Sequence, residues 1–407
     1  MWFGFAFLSL MFLACGEHQF DSNANQHEYP VSSSGLAGIS SSSLDDGQTN
    51  LSSSSKGEEL NGSSSSDEDE DKDVCDISSR NHINAECFYE KTVTIGIGRE
   101  MLFGSQAKLK FADNASLIIK ESLKITGGAE LYFGENSEIL LDWDASLDVA
   151  GKAGSLVVLA AADSSKPWKG IRVYQYAKLA NIEYANLHGA VIGIDFGKDG
   201  VLKNSKIHNN GYGIKQNSLF KAGNFEGNEF KSNTYDASVS LAVAATMGSP
   251  EQFEGKLHIP GSQNLGDVVL PSFDYFVDNG MITVNGELKI NAGAHFYFTE
   301  NSSIFVLNGS VEAIGTANNP IIFESADPES FWGRSSNNAA LYFDGSSGGG
   351  VFEHFEVLRA KIAFYNTGCL VKLSNGKILD SIKPFEEATL NAQISKDETV
   401  IVDQTLP

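Results

Sequence analysis

The sequence predicts an all-β fold, a parallel solenoid with an internal duplication, preceded by a disordered tether. Three observations predict it. First, residues 286–333 repeat an earlier stretch. Leu288, Lys289 and Ile290 answer Leu123, Lys124 and Ile125, and Tyr297, Phe298, Glu300, Asn301 and Ser302 answer Tyr132, Phe133, Glu135, Asn136 and Ser137, at an offset of 165 residues. After a one-residue slip the offset is 164, and Trp332 answers Trp168. Second, apolar residues alternate over short stretches such as 107–111 and 115–119, a period of two that gives a strand one buried face. Third, Leu187, Ile207 and Phe230 are equivalent, 20 and 23 residues apart, while Asn210 and Asn233 recur at a turn. Units of that length bury their apolar rows on one another when stacked, and an inward Asn bonds the backbone of the adjacent rung.

The run Leu202-Lys203-Asn204-Ser205-Lys206-Ile207, followed by Asn209-Asn210-Gly211-Tyr212-Gly213-Ile214, resembles the right-handed parallel β-helix repeat of the pectate-lyase-like superfamily. The resemblance spans roughly residues 93–375. It implies the fold, and for function it implies only a range, since that superfamily holds lyases, hydrolases, adhesins and spacers.

Taken in order, residues 1–14 read as a signal peptide. The apolar run at 2–14 is too short to span a bilayer, which needs about 20 such residues. The sequence Phe12-Leu13-Ala14-Cys15-Gly16 resembles a bacterial lipoprotein processing box, which implies lipidation of Cys15; the other reading is an ordinary secretory signal with an incidental cysteine. Residues 15–74 are a Ser-rich and acidic tether, with serine runs at 40–43, 52–55 and 63–66 before the acidic block at 67–71. Low hydrophobicity with like charge cannot build a core. Cys75 and Cys87 follow, spaced to close a disulfide where the tether meets the domain; a zinc site there would find only His82 as a further ligand nearby. The first half of the β-helix occupies 75–250. A seam at 251–274, marked by Pro260 and Pro271 with Pro250 just before it, is either an excursion from one solenoid or a true boundary. The second half runs over 275–377, and 378–407 is a strand or cap segment on the last rung. Cys369 reads as a buried free thiol.

Composition bounds function. With 29 Lys+Arg against 52 Asp+Glu the formal net charge is −23, so phosphate backbones are repelled and nucleic acid is excluded as a partner. Trp168 and Trp332 are candidate sugar-stacking residues, against the plainer reading that each packs where a loop returns to a strand. Asp142 and Asp144, read as sharing one strand face, are candidate acid–base or Ca2+-binding carboxylates, with surface or turn residues as the alternative. Arg172, pointing outward between Ile171 and Val173, is the candidate base for a β-elimination. His188, His208 and His354 lie in separate coils without ligand spacing, and no metal site is expected; Ca2+ is the single cofactor the acidic residues leave open. The expectation is an exported, lipid-anchored protein of a bacterial envelope, at the outer membrane or cell surface, that binds extracellular polysaccharide or a surface protein and meets the membrane through its anchor alone. The alternatives are a polysaccharide lyase or glycoside hydrolase and an architectural spacer.

Overall fold

The computed structural model describes residues 74–403, apart from 217, 390 and 391. The expected signal peptide, Cys15 and nearly all of the expected tether lie outside the described residues. Strands account for almost all regular structure, and they pair in parallel, each with the strand one rung before and one rung after it. Three faces of seven strands each build the first half, so a rung contributes one strand to each face. The third face does not stop there. It continues through the second half as a single sheet of 14 strands, from Val93–Ile95 to Ile401–Asp403, and is called here the long face. Two further sheets of six strands complete the second half.

The alternation read from the sequence is the in–out pattern of these strands: Lys108–Phe111, for example, is exposed, buried, exposed, buried. Inside, like side chains stack from rung to rung. Tyr89, Phe111, Phe133 and Trp168 form one column with ring centroids 5.1, 4.8 and 4.4 Å apart. Such pairs contribute about 0.5–1.5 kcal/mol each beyond their area. The recurring asparagines do what the repeat requires. Asn210 Oδ1 accepts the Ala190 N–H at 2.9 Å, Asn233 Oδ1 accepts the Asn210 N–H at 3.0 Å, and Asn233 Nδ2 donates to Ile207 O at 3.0 Å. Buried turn amides and carbonyls are thereby satisfied by the next rung.

The two halves form one solenoid. The interruption is an excursion at 240–256, earlier than the prolines suggest. Ser240 caps a one-turn helix, Leu241–Ala244, by accepting the Val243 N–H, and a 3-10 turn follows at Pro250–Gln252. Across it, Tyr235–Val239 pairs directly with Leu257–Pro260, placing Ala237 beside Leu257 and Ser238 beside His258. Leu257–Pro260, Gln263–Leu265 and Val268–Leu270 then supply a full rung, so most of 251–274 is solenoid. The tail at 378–403 adds another, through Lys383–Glu387, Gln393–Lys396 and Ile401–Asp403.

The excursion also turns the duplicate. Glu130–Phe133 belongs to the second face of the first half, but its repeat, His295–Phe298, belongs to the long face. Glu138–Leu141 belongs to the long face, and its repeat, Ser303–Val306, does not. The second copy therefore enters the solenoid one face late, and the long face joins two surfaces that are not equivalent in the repeat.

Candidate functional site

Trp168 and Trp332 are not surface residues. Both are fully buried, which corrects their reading as sugar-stacking candidates. Trp168 lies 4.4 Å from Phe133 at an interplanar angle of 10° and donates its indole N–H to His188 O. Trp332 lies 4.1 Å from Phe298 at 6° and donates to Leu358 O. Each fills the interior where the loop after a strand re-enters the rung, and each finds a backbone acceptor for its polar atom.

Asp142 and Asp144 do not lie on a strand face. They occupy the turn at 142–145, where Ala145 N–H bonds back to Asp142 O and Asp144 takes a left-handed φ of 59°. Aspartate tolerates that conformation better than most residues, which explains the choice and removes the paired-carboxylate geometry. Asp142 Oδ1 accepts the Trp143 N–H at 2.9 Å, and its Oδ2 lies 4.0 Å from Lys120 Nζ. Arg172 does point outward, as expected, but its partner is Glu138, at 2.8 Å.

Trp143, between the two aspartates, is the exposed tryptophan among the described residues, at 63 % of its free surface. Its ring meets that of Tyr176, 55 % exposed, at a centroid distance of 4.7 Å and an angle of 53°. Tyr176 lies on the same corner one rung later, and the two turns are joined by the Asp144 N–H to Tyr176 O bond of 3.1 Å. Tyr174 extends the surface, with the Arg172 guanidinium 5.6 Å from its ring centroid. This corner offers two solvent-facing rings with Asp142, Asp144, Arg172 and Lys120 around them. Ring faces take the C–H face of a pyranose, and the charged groups around them take hydroxyls. The signal was present in the sequence as an aromatic flanked by turn residues.

The second concentration of functional groups lies on the outside of the long face, across the excursion. Successive rungs place Lys215, Ser238, His258, Phe276, Tyr297 and Glu324 in one outward row. His258 is buried among rings, 5.0 Å from Tyr235, 5.7 Å from Tyr212 and 6.1 Å from Phe276. Its Nδ1 meets Ser238 Oγ at 2.9 Å and its Nε2 meets Asp278 Oδ2 at 3.4 Å. Burial holds the imidazole below its ordinary pKa, against the opposing pull of Asp278. Further along, Glu324 bridges His295 at 2.7 Å and Arg359 at 2.8 Å. Lys256 Nζ lies 3.3 Å from the Tyr297 ring centroid, and burial with the nearby Asp274 and Glu324 pushes that phenol up to about 12. No single sequence window holds this cluster, because each rung contributes one or two of its residues.

Cys75 and Cys87 are joined in a disulfide, and Cys369 is a free, half-buried thiol that burial pushes up in pKa. His188 and His208 do come from separate coils, but adjacent rungs stack their rings at 4.8 Å. Among the described residues, no three or more His, Cys, Asp or Glu side chains gather to hold a metal ion, and no helix is long and apolar enough to cross a membrane. No protein-family model, curated protein or solved structure matches the chain.

Proposed function

We propose that this protein is a lipid-anchored, envelope-displayed β-solenoid that binds extracellular polysaccharide on the corner formed by Trp143, Tyr174 and Tyr176. One observation carries the reading: two large aromatic rings stand exposed and in contact on a corner where the fold does not need them. In the duplicate, the corresponding turns hold Leu307, Asn308 and Gly309, and then Asp344, Gly345 and Ser346. Exposed aromatic area that packing does not explain marks a contact surface. The acidic balance of the chain favours a neutral glycan over a polyanionic one. Cys15 would carry the anchor, and the serine-rich segment would set the domain off from the membrane.

Retardation of the full chain in native gels containing single polysaccharides tests the binding. Wild type is expected to be retarded by at least one neutral polysaccharide. Trp143→Ala and Tyr176→Ala are expected to migrate as in a blank gel with unchanged thermal unfolding. Equal retardation of wild type and Trp143→Ala would overturn the assignment of the site. The anchor is tested separately: Cys15→Ser should move the protein from the detergent phase to the aqueous phase.

A further inference from the structure

Across the excursion the row holds Ser238 beside His258, and Asp278, two residues along the next strand from the row's Phe276, completes a hydrogen-bonded sequence of serine, histidine and aspartate. The polarity of those bonds follows from what each group can do. An ionised Asp278 only accepts, so the His258 Nε2 facing it at 3.4 Å carries the proton. The other ring nitrogen, Nδ1, then bears a lone pair, and the Ser238 hydroxyl 2.9 Å away must donate to it. Asp278 is itself oriented by Asn279, whose Nδ2 donates to Oδ1 at 3.0 Å. We propose that Ser238, His258 and Asp278 form a nucleophilic triad that hydrolyses carboxylic esters on the outward side of the long face, where Ser238 and His258 are nearly buried.

The arrangement has the nucleophile–base–carboxylate chain that acyl transfer uses: a nucleophile bonded to a base, a base facing a carboxylate, and a third group fixing the carboxylate. Ser238 Oγ attacks the ester carbonyl carbon as its proton passes to His258 Nδ1. The bond from that carbon to the alcohol oxygen then breaks, and the departing alcohol takes the proton from Nδ1. Water attacks the acyl-serine, gives its proton to Nδ1, and the Oγ–carbon bond breaks with Oγ taking the proton back. The products are a carboxylic acid and an alcohol, and no further reagent is needed. Lys215, the register partner of Ser238 one rung earlier, is the cation nearest along the row to an oxyanion forming there. The rings of Tyr212, Tyr235 and Phe276 pack around His258 and give an apolar surface for the acyl group. The catalytic groups come from both sides of the excursion, since Ser238 precedes it and His258 and Asp278 follow it. Neither copy of the repeat contains the set.

The test uses the full chain with a fluorophosphonate probe and with p-nitrophenyl acetate. Labelling is expected on the tryptic peptide carrying Ser238, and ester hydrolysis is expected to rise with pH through a single deprotonation below about 6.5, since burial depresses His258. Ser238→Ala should abolish labelling and bring hydrolysis to the buffer rate. Asp278→Asn should slow hydrolysis by about 10²–10⁴-fold while leaving the serine in place. Thermal unfolding of each variant shows whether the fold survives; if Ser238→Ala unfolds, Ser238→Cys supplies the same readout by thiol-directed probes. Wild-type labelling and hydrolysis no faster than a folded Ser238→Ala, or labelling at another residue, would overturn the proposal.

Discussion

The same turn of the repeat exists twice, on two different corners of the solenoid, and the two copies differ. In the first half the turns at 142–145 and 174–177 carry Trp143, Tyr174 and Tyr176, with Trp143 and Tyr176 in ring contact at 4.7 Å. In the second half the turns after Ser303–Val306 and Ala339–Phe343 carry no aromatic residue, and Ser346 Oγ lies 2.6 Å from Leu307 O and 2.7 Å from Asp344 Oδ1, with one proton to share between them. Both corners turn the chain equally well. The interior shows the opposite pattern: Trp168 and Trp332 recur, each stacked on a phenylalanine and each bonded to a backbone carbonyl. What the fold needs appears in both copies; what appears in one copy is free to serve another purpose.

The largest expected effect tests the recurring pair. Trp168→Ala or Trp332→Ala removes a fully buried indole, leaving a cavity and an orphaned carbonyl. Each should cost about 3–5 kcal/mol, read as a lower urea midpoint in chemical unfolding. A loss below 1 kcal/mol for either would break the claim that recurrence reports packing. Next comes the entry to the domain. The Cys75–Cys87 bridge closes a loop with a sequence separation of 12, and Cys75→Ser with Cys87→Ser should cost roughly 2–3 kcal/mol in the same measurement.

The fold was readable because the solenoid writes one rung after another into the chain. Leu187, Ile207 and Phe230 fall in one column because their 20- and 23-residue spacings are the rung lengths. The sites were harder to read for two physical reasons. A tryptophan looks the same in sequence whether it points in or out, so Trp168 and Trp332 stood out by recurring, and recurrence marks the core. Trp143 does not recur in the duplicate and so carries no such mark, although Asp142 and Asp144 flank it. The second reason is geometric. Ser238, His258 and Asp278 recur at intervals of 20 residues, but only the direct pairing across 240–256 shows that the excursion adds no rung between the first two. The one-face turn of the duplicate is likewise invisible to an offset of 165, since matching residues can sit on different faces.

A smaller effect separates the faces by pH. His188, His208, His258 and His295 are all held below their ordinary pKa, in each case chiefly by burial. The native state thus refuses protons that the unfolded chain accepts near 6.5. Their contribution is whole above that value and is lost as pH falls below it. Thermal midpoints should therefore drop between pH 7.5 and pH 5. His188→Gln with His208→Gln should flatten that drop, because burial depresses both stacked rings and His188 further disfavours charging His208. An unchanged slope would assign the pH dependence to groups elsewhere.

The smallest effect on stability belongs to the corner itself, and there the comparison is sharpest. Trp143 keeps 63 % of its surface in water, so Trp143→Ala gives up little more than one exposed ring pair and should change the unfolding free energy from urea titration by less than about 1 kcal/mol. The reciprocal change is as informative. Asn308 is exposed on the second corner, and its Nδ2 bonds Asn285 at a long 3.3 Å, so Asn308→Trp with Ser346→Tyr should fold, at a cost of about 0.5–1.5 kcal/mol for the Ser346 Oγ bond given up. If a ring pair on such a corner is sufficient for holding a sugar chain, the grafted corner should restore retardation in a polysaccharide gel to a Trp143→Ala background. If retardation does not return although the graft folds, the rings need the groups that only the first corner has, Arg172 beside Tyr174 and the two aspartates flanking Trp143.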